Sequence, residues 1–348
     1  MFAAIGLDHG HIHGQTDALI AAGGTLAGYA TGLDELAEAF EAKHRGAIRK
    51  SEAALLDDPE ITLVTSAAIP SERVGLAVRC MRAGKDVLLD KPGVLTRTAL
   101  DTLRTTQAET GRRVRVVYSE LESNAAAQTT LRLVHEGTIG RMLHYNGTGP
   151  HRLDQGVPRP DWFFDRSRNG GILVDIASHQ ITSFLAYTGR TRGRVVAARV
   201  VCRGDRPDFQ DMGDVMLETE GADGYARVDW YTPAGLPTWG DGRIVLTGTE
   251  GVIEMRKYVD PAGPDGSAVA PHLIMTDGAG PRRIACDDVS PFYARCLADS
   301  VEGTVTAMDR RQRFTSWSLR STRKRLRGPG HEHLSRRDHR TRRRPRPY

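Results

Sequence analysis

The sequence has no long apolar run and few cysteines, and both absences exclude classes of protein. No stretch of its 348 residues is apolar over the roughly 20 residues that a membrane-spanning helix needs. The four cysteines are scattered, without a Cys-x-x-Cys pair, so they predict reduced thiols and neither a disulfide framework nor a zinc site. No basic segment followed by a long apolar stretch begins the chain, so no secretory signal is expected. We therefore expect a cytoplasmic protein.

Acidic residues are scarce at one end of the chain, which makes its net charge misleading. Residues 320–348 contain twelve Lys or Arg and two acidic residues, a net of +10, whereas the whole chain carries +5. The remaining residues therefore carry −5. The stretch lacks apolar periodicity, and we predict a basic disordered tail. We expect no nucleic-acid partner, because any such binding would depend on this tail alone.

The tail begins abruptly after Phe314 and Thr315, within what reads as a closing helix. This change from a helical pattern to a basic composition favours a frameshift near the Thr315 codon. A tail that binds acidic surfaces is the alternative. Resequencing of the gene tests the frameshift, because a reading frame with no missing or extra base there would reject it.

The first part of the chain alternates short apolar runs with helical segments. Residues 2–5 and 25–29 predict buried strands with a helix between them, and the alternation continues to a strand at 114–118. Strands that alternate with helices predict a doubly wound parallel sheet, the Rossmann type of α/β fold. We expect a dinucleotide-binding domain over residues 1–120 and a second, α+β domain over residues 121–319.

A glycine-rich turn follows the first strand, although its Gly-x-Gly-x-x-Gly spacing is incomplete. Gly6 holds the first position, whereas Asp8 and His11 hold the second and third. His9, His11 and His13 alternate, which could indicate a metal site, but no acid or cysteine cluster accompanies them in the sequence. We expect no metal here, and histidines that face a cofactor or substrate.

Several predicted strands end in residues suited to a ligand site. Because the carboxyl ends of parallel strands share one edge of the sheet, these residues should line the cofactor cleft. No acid follows the second strand to bind a ribose 2′-hydroxyl, unless Asp34 reaches back, so the cofactor is either NAD or NADP. The predicted cofactor-binding residues are Gly6, Asp8, His9, Gly10, His11, Thr31, Ala67, Ala68, Ile69, Pro70, Asp90, Lys91 and Pro92.

Lys91 stands between a predicted strand end and Pro92. In that position its ammonium could face the cleft, bind a substrate oxygen or join a proton relay. The alternative is a surface lysine in a turn. The proline also allows a cis Lys91–Pro92 bond, which the sequence leaves open.

The second part of the chain has a different pattern of apolar and turn-forming residues. Residues 195–256 contain several short alternating or apolar runs separated by Gly, Pro and Asp turns, which predicts a largely antiparallel open sheet. Helices should cover one face of this sheet. We expect a second copy of the chain to cover the other face, giving a dimer or tetramer.

The stretch Asn169–Gln180 lies at mid-chain, between the predicted parallel sheet and the predicted antiparallel sheet. If it is helical, Asp175 and His179 project from one face, one turn apart. A carboxylate beside an imidazole makes a usable acid/base pair near neutral pH. An amphipathic helix with two exposed polar residues is the alternative, since such pairs are common.

A polar cluster with one aromatic residue lies just upstream of this stretch. Acidic and Arg side chains hydrogen-bond hydroxyl groups, and a Trp ring can stack on a sugar face. The pattern favours a sugar, a cyclitol or a related polyol as substrate, with a structured surface loop as the alternative. The predicted substrate-binding residues are His151, Arg152, Trp162, Arg168, Asp175 and His179.

Three motifs, at residues 90–92, 170–179 and 248–251, resemble those of the Gfo/Idh/MocA oxidoreductases. The family is named for glucose-fructose oxidoreductase and inositol dehydrogenase. Asp90-Lys91-Pro92 is similar to the family's Glu-Lys-Pro, and Gly248-Thr249-Glu250-Gly251 is similar to its Gly-Thr-x-Gly turn. The run from Gly170 to His179 resembles its Gly-Gly-x-x-x-Asp-x-Gly-x-His, with Ala177 at the last glycine. Arg73 stands where the family often has His.

The resemblance covers roughly residues 2–315 and implies an NAD(P)-dependent dehydrogenase that acts on CH–OH groups. It implies that Lys91, Asp175 and His179 are catalytic: His179 takes the hydroxyl proton while hydride passes to the nicotinamide, Asp175 orients it or binds a neighbouring hydroxyl, and Lys91 stabilises the alkoxide. Two alternatives on the same fold are an NAD-assisted glycoside hydrolase and a non-catalytic nucleotide-binding regulator.

Overall fold

The computed structural model describes residues 1–154, 156, 158–263 and 269–302, which form two sheets with their covering helices. These residues belong to a unit that spans Met1–Trp317. The predicted tail and the proposed frameshift position lie outside the described residues. Within the described ranges, no helix is long and apolar enough to cross a membrane.

The first sheet has the strand order β2-β1-β3-β4-β5, and all of its pairs are parallel. Every residue of β1, β3, β4 and β5 is buried, as expected for parallel strands that are covered on both faces. This confirms the predicted Rossmann-type sheet. The strands are β1 (Phe2–Ile5), β2 (Leu26–Ala30), β3 (Leu63–Ser66), β4 (Asp86–Asp90) and β5 (Val114–Val117).

Local sequence signals fix the helices of this half. The Ser51 and Thr96 side chains accept hydrogen bonds from the N–H groups of Ala54 and Ala99, and so cap two helix starts. Asn124 caps a third helix in the same way, through Ala127. The helices are α1 (His11–Ala21), α2 (Asp34–Lys43), α3 (Glu52–Asp57), α4 (Arg73–Arg82), α5 (Arg97–Thr110), α6 (Ser119–Glu122) and α7 (Ala125–His135).

The second sheet has the order β13-β12-β11-β10-β6-β9-β8-β7, and of its pairs only β6 with β9 is parallel. This confirms the predicted open, largely antiparallel sheet. The strands are β6 (Met142–Pro150), β7 (Arg194–Val201), β8 (Met212–Thr219), β9 (Ala222–Asp229), β10 (Arg243–Gly248), β11 (Gly251–Arg256), β12 (His272–Asp277) and β13 (Gly280–Arg283).

Five of these strands correspond to the runs predicted within residues 195–256, whereas β6 was not predicted. Its sequence, Met-Leu-His-Tyr-Asn-Gly-Thr-Gly-Pro, is poor in β-branched residues and rich in turn formers. It is nevertheless an interior strand, because β9 and β10 pair with it on either side. Tertiary pairing here overrides local preference.

Helix α10 (Ala177–Thr188) packs on the second sheet. Phe184 and Tyr187 are buried against Tyr145 of β6 and Leu217 of β8. Full burial of each such side chain contributes about 1.5–3 kcal/mol. This packing fixes the helix that carries His179. The remaining helical elements are a 3-10 helix (Asp161–Phe164), α8 (Arg166–Asn169), α9 (Ile172–Asp175) and α11 (Phe292–Glu302).

The helix α11 returns to the first sheet. Its residues Phe292 and Cys296 are buried with Phe2 of β1 and Leu88 of β4. This segment falls within the predicted second domain, residues 121–319, yet it packs on the first sheet. The chain therefore crosses back to the first sheet after completing the second. The boundary at residue 120 stays a prediction.

Candidate active site

The carboxyl ends of β1 and β3 meet at one edge of the first sheet. Gly6 has a φ of +75°, and a Cβ atom there would lie 2.6 Å from the Cβ of Ala68. The Ala67 N–H donates to the Gly6 carbonyl (3.0 Å), and the His9 N–H donates to the Ala67 carbonyl (3.0 Å). The two loops predicted to bind the cofactor are therefore joined through their backbones.

Helix α1 starts beside this junction and leaves space for a ligand. Apart from the chain neighbours of Gly10, no atom of the described residues lies within 4 Å of the point where a Cβ on Gly10 would stand. The first turn of α1 carries no acidic residue of its own. Asp8 adds a half-buried acid to the loop, and its partial burial raises the pKa of the carboxyl.

Arg73 holds the ends of β3 and β4 together. Its side chain is 1% exposed and donates to the carbonyls of Ala68 (2.7 Å), Asp90 (3.0 Å) and Pro92 (2.9 Å). It also donates to Asp90 Oδ2 (3.1 Å). The residue that departs from the family's usual His is therefore a structural clasp of the cleft.

Asp90 is the buried acid of this clasp. Its Oδ1 lies 3.0 Å from the Nδ1 of His11, in addition to the Arg73 contact. Burial alone would raise the pKa of Asp90, but His11 and Arg73 together hold it well below its ordinary value. The carboxylate is thus ionised and fully engaged.

The expectation that no acid accompanies the N-terminal histidines is wrong. Asp90, distant in sequence, places a carboxylate oxygen within 4.8 Å of ring nitrogens of His9 and His11. The three could contact one cation, yet Arg73 already neutralises this carboxylate. The arrangement therefore fits a histidine-lined cofactor loop better than a metal centre.

Lys91 lies at the end of β4 and faces Asp175 of the mid-chain stretch. Its Nζ donates to Asp175 Oδ1 at 2.6 Å, and Lys91 is 5% exposed. The surface-lysine alternative is therefore excluded. The Lys91–Pro92 peptide bond is cis.

The mid-chain stretch turns at its glycine pair, and beyond the pair it is helical with one irregular residue. Gly170 and Gly171 have φ values of +89° and +80°, which end α8 before α9 begins. The helical run is then interrupted at Ile176, so Asp175 closes α9 whereas His179 lies in the first turn of α10. Ile176 keeps right-handed helical backbone angles (φ −96°, ψ −43°), so the two helices follow one another with only this residue between them.

His179 is deeply buried, at 2% exposure. Its Nδ1 has no hydrogen-bond partner among the described residues. Burial lowers its pKa well below the ordinary value, assisted by the positive charge of Lys91 and opposed by the negative charge of Glu120. The imidazole is therefore neutral near pH 7 and able to accept a proton.

Two functional candidates were missed from the sequence, Glu120 and Lys257. They form a buried ion pair of 2.9 Å, and each is 1% exposed. Glu120 Oε1 lies 3.9 Å from His179 Nε2 and 3.6 Å from His151 Nε2. Glu120 follows β5, so the strand-end rule that found Lys91 could have found it, whereas Lys257 carries no such signal.

The predicted substrate residues fall in different surroundings. His151 joins the Glu120 cluster, whereas the Arg152 guanidinium donates to the carbonyls of Pro233 and Leu236 and so holds a loop. Whether these two contact a substrate stays a prediction.

Trp162 and Arg168 lie near the first sheet's loops. Trp162 is 8% exposed within an aromatic cluster, with its ring 6.2 Å from that of His9. Its burial leaves little ring surface for stacking on a sugar. The Arg168 side chain lies 3.5 Å from Glu72, at the start of α4.

The end of the second strand is where folds of this type bind the ribose of a dinucleotide. Arg49 donates to the Thr31 carbonyl (3.0 Å) and to Asp34 Oδ1 (2.6 Å). The Asp34 carboxylate is thus already paired with a guanidinium.

The chain is similar in sequence and in structure to known oxidoreductases. The family model of the GFO/IDH/MocA C-terminal domain matches residues 127–254. A solved structure from Erwinia carotovora atroseptica, assigned to the oxidoreductases without a named substrate, is 39% identical with a TM-score of 0.83. That match covers 88% of this chain and 92% of the other.

The chain belongs to the Gfo/Idh/MocA family. It is also 30% identical, over 200 residues, to inositol 2-dehydrogenase 2 of Saccharopolyspora erythraea. The match covers 53% of this chain and 54% of that relative, so only about half of the relative's length is spanned.

A more distant likeness concerns the fold alone. A levoglucosan dehydrogenase, solved in complex with NADH and levoglucosan, is 20% identical with a TM-score of 0.68. The likeness covers 85% of this chain and 82% of that one. The arrangement of two sheets is therefore shared across members that differ in most of their residues.

Proposed function

We propose that this protein is an NAD(P)-dependent dehydrogenase that oxidises a hydroxyl group of a sugar, cyclitol or related polyol. The observation that carries the proposal is the meeting of three groups: Lys91 at the end of β4, Asp175 at 2.6 Å from it, and the neutral, buried His179. They combine a positive charge, a hydroxyl-binding carboxylate and a proton acceptor beside the edge of a Rossmann-type sheet, where such sheets bind ligands.

The cofactor loops fit a dinucleotide. Open space beside Gly10 and a first turn of α1 that carries no acidic residue suit a pyrophosphate. Gly6, Gly10 and the loop at residues 67–70 would hold it. When bound, the nicotinamide ring accepts the hydride.

The protein's own residues supply the proton chemistry. His179 takes the proton of the reacting hydroxyl, because its pKa is lowered by burial and it is neutral near pH 7. Lys91 stabilises the negative charge that develops on the substrate oxygen. Asp175 keeps the Lys91 ammonium in place and accepts a hydrogen bond from a neighbouring hydroxyl.

The end of β2 favours NADP over NAD. A carboxylate normally binds the ribose 2′-hydroxyl of NAD, whereas an arginine accommodates the 2′-phosphate of NADP. Thr31 stands at the strand end, Asp34 is engaged by Arg49, and Arg49 is held against the Thr31 carbonyl.

The substrate class rests on relatives and on the polar site. The names of two relatives, inositol 2-dehydrogenase and levoglucosan dehydrogenase, denote polyhydroxylated substrates. A depression of 440 Å³, lined by Asp154, Arg159 and Phe164 among others, offers the polar and aromatic contacts that such molecules use.

A screen of turnover tests the proposal. The purified protein is offered NAD⁺ or NADP⁺ with a panel of inositols, aldoses, anhydrosugars and sugar acids, and reduced nicotinamide is followed by absorbance. We expect a signal with at least one polyol that the His179→Ala variant lacks. Release of a sugar from a glycoside without net cofactor reduction would instead identify a hydrolase, and saturable binding without any turnover would identify a regulator.

We also propose that the protein is a homo-oligomer through its second sheet. β7 lies at an edge of that sheet, and six of its eight residues are Val or Ala although most are exposed. A second copy would cover this surface. Sedimentation of the protein as a monomer at micromolar concentration would reject it.

A further inference from the structure

A buried cluster of four titratable side chains lies behind His179. Glu120 and Lys257 are two of its members, and they form an ion pair without access to solvent. Removing two charges from water is costly, and replacement by apolar residues is often neutral or stabilising. A buried ion pair is therefore weak support for a role in stability alone, and its surroundings must explain its presence.

The two oxygens of Glu120 have different surroundings. Oε2 accepts a hydrogen bond from Lys257 Nζ, whereas Oε1 is buried and has no hydrogen-bond partner among the described residues. Oε1 faces His151 Nε2 at 3.6 Å and His179 Nε2 at 3.9 Å. One oxygen is thus neutralised by the lysine, and the other is directed at two imidazoles.

The protons of the two histidines follow from their partners. His151 Nδ1 lies 3.1 Å from the Gly149 carbonyl, which only accepts, so Nδ1 carries the proton of the neutral ring. His179 turns Nε2 toward an ionised carboxylate at 3.9 Å, which also only accepts and therefore favours a proton on Nε2. Nδ1 of His179 is then the free basic atom.

We propose that Glu120 is a positioning residue for His179: paired with Lys257, it holds the imidazole in the Nε2–H tautomer and balances the positive charge formed when Nδ1 accepts a proton. The catalytic meaning of this arrangement rests on the proposed function. The distance of 3.9 Å is longer than a hydrogen bond, as is common before substrate binds.

The proton balance of the step is simple. The O–H bond of the substrate breaks and its proton forms a bond to His179 Nδ1, while the electron pair of the adjacent C–H bond leaves as hydride to the oxidised nicotinamide. Glu120 stays ionised throughout, because Lys257 and the two histidines hold its pKa below its ordinary value against the effect of burial.

Charged and titratable groups face His179 from several elements: Glu120 from α6, Lys91 after β4, His151 after β6 and Lys257 after β11. Glu120 raises the pKa of His179, whereas burial and the other three lower it. For His151, burial dominates and the pKa is lowered to about 4. Any change in the charge of Lys257 should therefore move protons on the two histidines.

The test is nuclear magnetic resonance of the unliganded protein with ¹⁵N-labelled histidine, with His179 and His151 assigned from spectra of His179→Gln and His151→Gln. In the wild type, the ring nitrogen shifts should show His179 as the neutral Nε2–H tautomer at pH 7. In Lys257→Met, the unpaired Glu120 carboxylate should raise the pKa of His179 or His151 by about 1–3 pH units.

Two controls make the result decisive. Glu120→Gln/Lys257→Met removes both charges and should return both histidines to neutrality, and Lys257→Arg should preserve the wild-type spectrum. Unchanged histidine titrations in a folded Lys257→Met protein would overturn the proposal. If that variant does not fold, an Nδ1–H tautomer of His179 in the wild type would overturn it alone.

This outcome is separable from the proposed function. The measurement uses neither cofactor nor substrate, so a failed turnover screen leaves it intact. Conversely, turnover together with an Nδ1–H tautomer would keep the dehydrogenase and reject the role of Glu120.

Discussion

Two buried carboxylates, Asp90 and Glu120, have similar partners and different tasks. Each pairs with a basic side chain, Arg73 or Lys257, and each lies beside a histidine ring. Asp90 has both oxygens engaged, within a guanidinium clasp that also binds three backbone carbonyls. Glu120 has one oxygen that accepts no hydrogen bond from the described part of the chain. The Asp90 carboxylate, with both oxygens hydrogen-bonded, holds the cleft together. The Glu120 carboxylate, with one oxygen free of hydrogen bonds from the described residues, can still influence the charge of the neighbouring histidines.

The largest expected effect comes from removing the Arg73 guanidinium that pairs with Asp90. Arg73→Met leaves Asp90 buried without its guanidinium, and we expect a loss of about 3–5 kcal/mol in the free energy of unfolding. Urea denaturation measures it. Arg79→Met, on the same helix but with a 55% exposed side chain paired to Glu52, is the matched control. It should cost no more than about 1 kcal/mol. Equal losses in the two variants would contradict a clasp role for Arg73.

The second change is to remove the base. His179→Ala should lower turnover on the order of 10²-fold or more, because the proton of the hydroxyl loses its acceptor. Steady-state kinetics and a fluorescence titration with the cofactor separate the loss of turnover from the loss of affinity, which should be small. His135→Ala, on the exposed side of α7, controls for loss of an imidazole. Turnover equal to that of the wild type would remove His179 from the mechanism.

The third change concerns Lys91. Lys91→Ala should lower turnover on the order of 10²-fold, because the charge on the substrate oxygen loses its stabilising ammonium. We expect this effect to exceed any effect on folding, since the Asp175 side chain left unpaired is 18% exposed and can be hydrated. Kinetics and thermal unfolding of the same preparation give both numbers. A variant that mainly lost thermal stability would make Lys91 structural.

The fourth prediction concerns pH. The pKa values of His9, His151 and His179 are lowered by burial, and that of His151 is about 4 against an ordinary 6.5. As the pH falls below about 6.5, the unfolded chain binds protons that the folded protein does not, so stability should decrease. The lowered pKa values of Asp90 and Glu120 add a further loss below about pH 4.5.

The urea midpoint at pH 7.5 and at pH 5.5 measures the histidine contribution. His151→Gln should flatten this dependence, because it removes one of the histidines whose pKa is lowered. A midpoint that rises toward pH 5.5 would contradict the sign of the argument. Burial also raises the pKa values of Asp8 and Glu122, which act in the opposite sense at acidic pH.

The smallest expected effect is on cofactor choice. Thr31→Asp should shift preference from NADP⁺ toward NAD⁺ by about tenfold, because a carboxylate at the end of β2 repels a 2′-phosphate and binds a 2′-hydroxyl. Dissociation constants for both dinucleotides measure the shift. No change in their ratio would place the ribose away from Thr31.

The sequence predicted what depends on local pattern. The parallel strands, Lys91 at a strand end, and the runs β7 to β11 follow from periodicity and turn residues, which act over a few positions. The resemblance of motifs pointed to Asp175 and His179. These signals are independent of the distant parts of the chain.

What was missed depends on contacts far apart in sequence. Glu120 and Lys257 are 137 positions apart, and no local pattern pairs them. The irregular residue Ile176, between α9 and α10, has no marker in the local sequence either. The strand Met142–Pro150 forms because two neighbours pair with it, against its own composition.

The most direct test of the central claim is a titration of the purified protein with NADP⁺ and with NAD⁺, followed by thermal shift or tryptophan fluorescence. We expect saturable stabilisation, tighter for NADP⁺, that persists in His179→Ala and is weakened in a Gly10→Val variant, whose side chain fills the open space of the loop. Stabilisation by neither dinucleotide would contradict it, because the cleft around Lys91, Asp175 and His179 would then have no hydride acceptor.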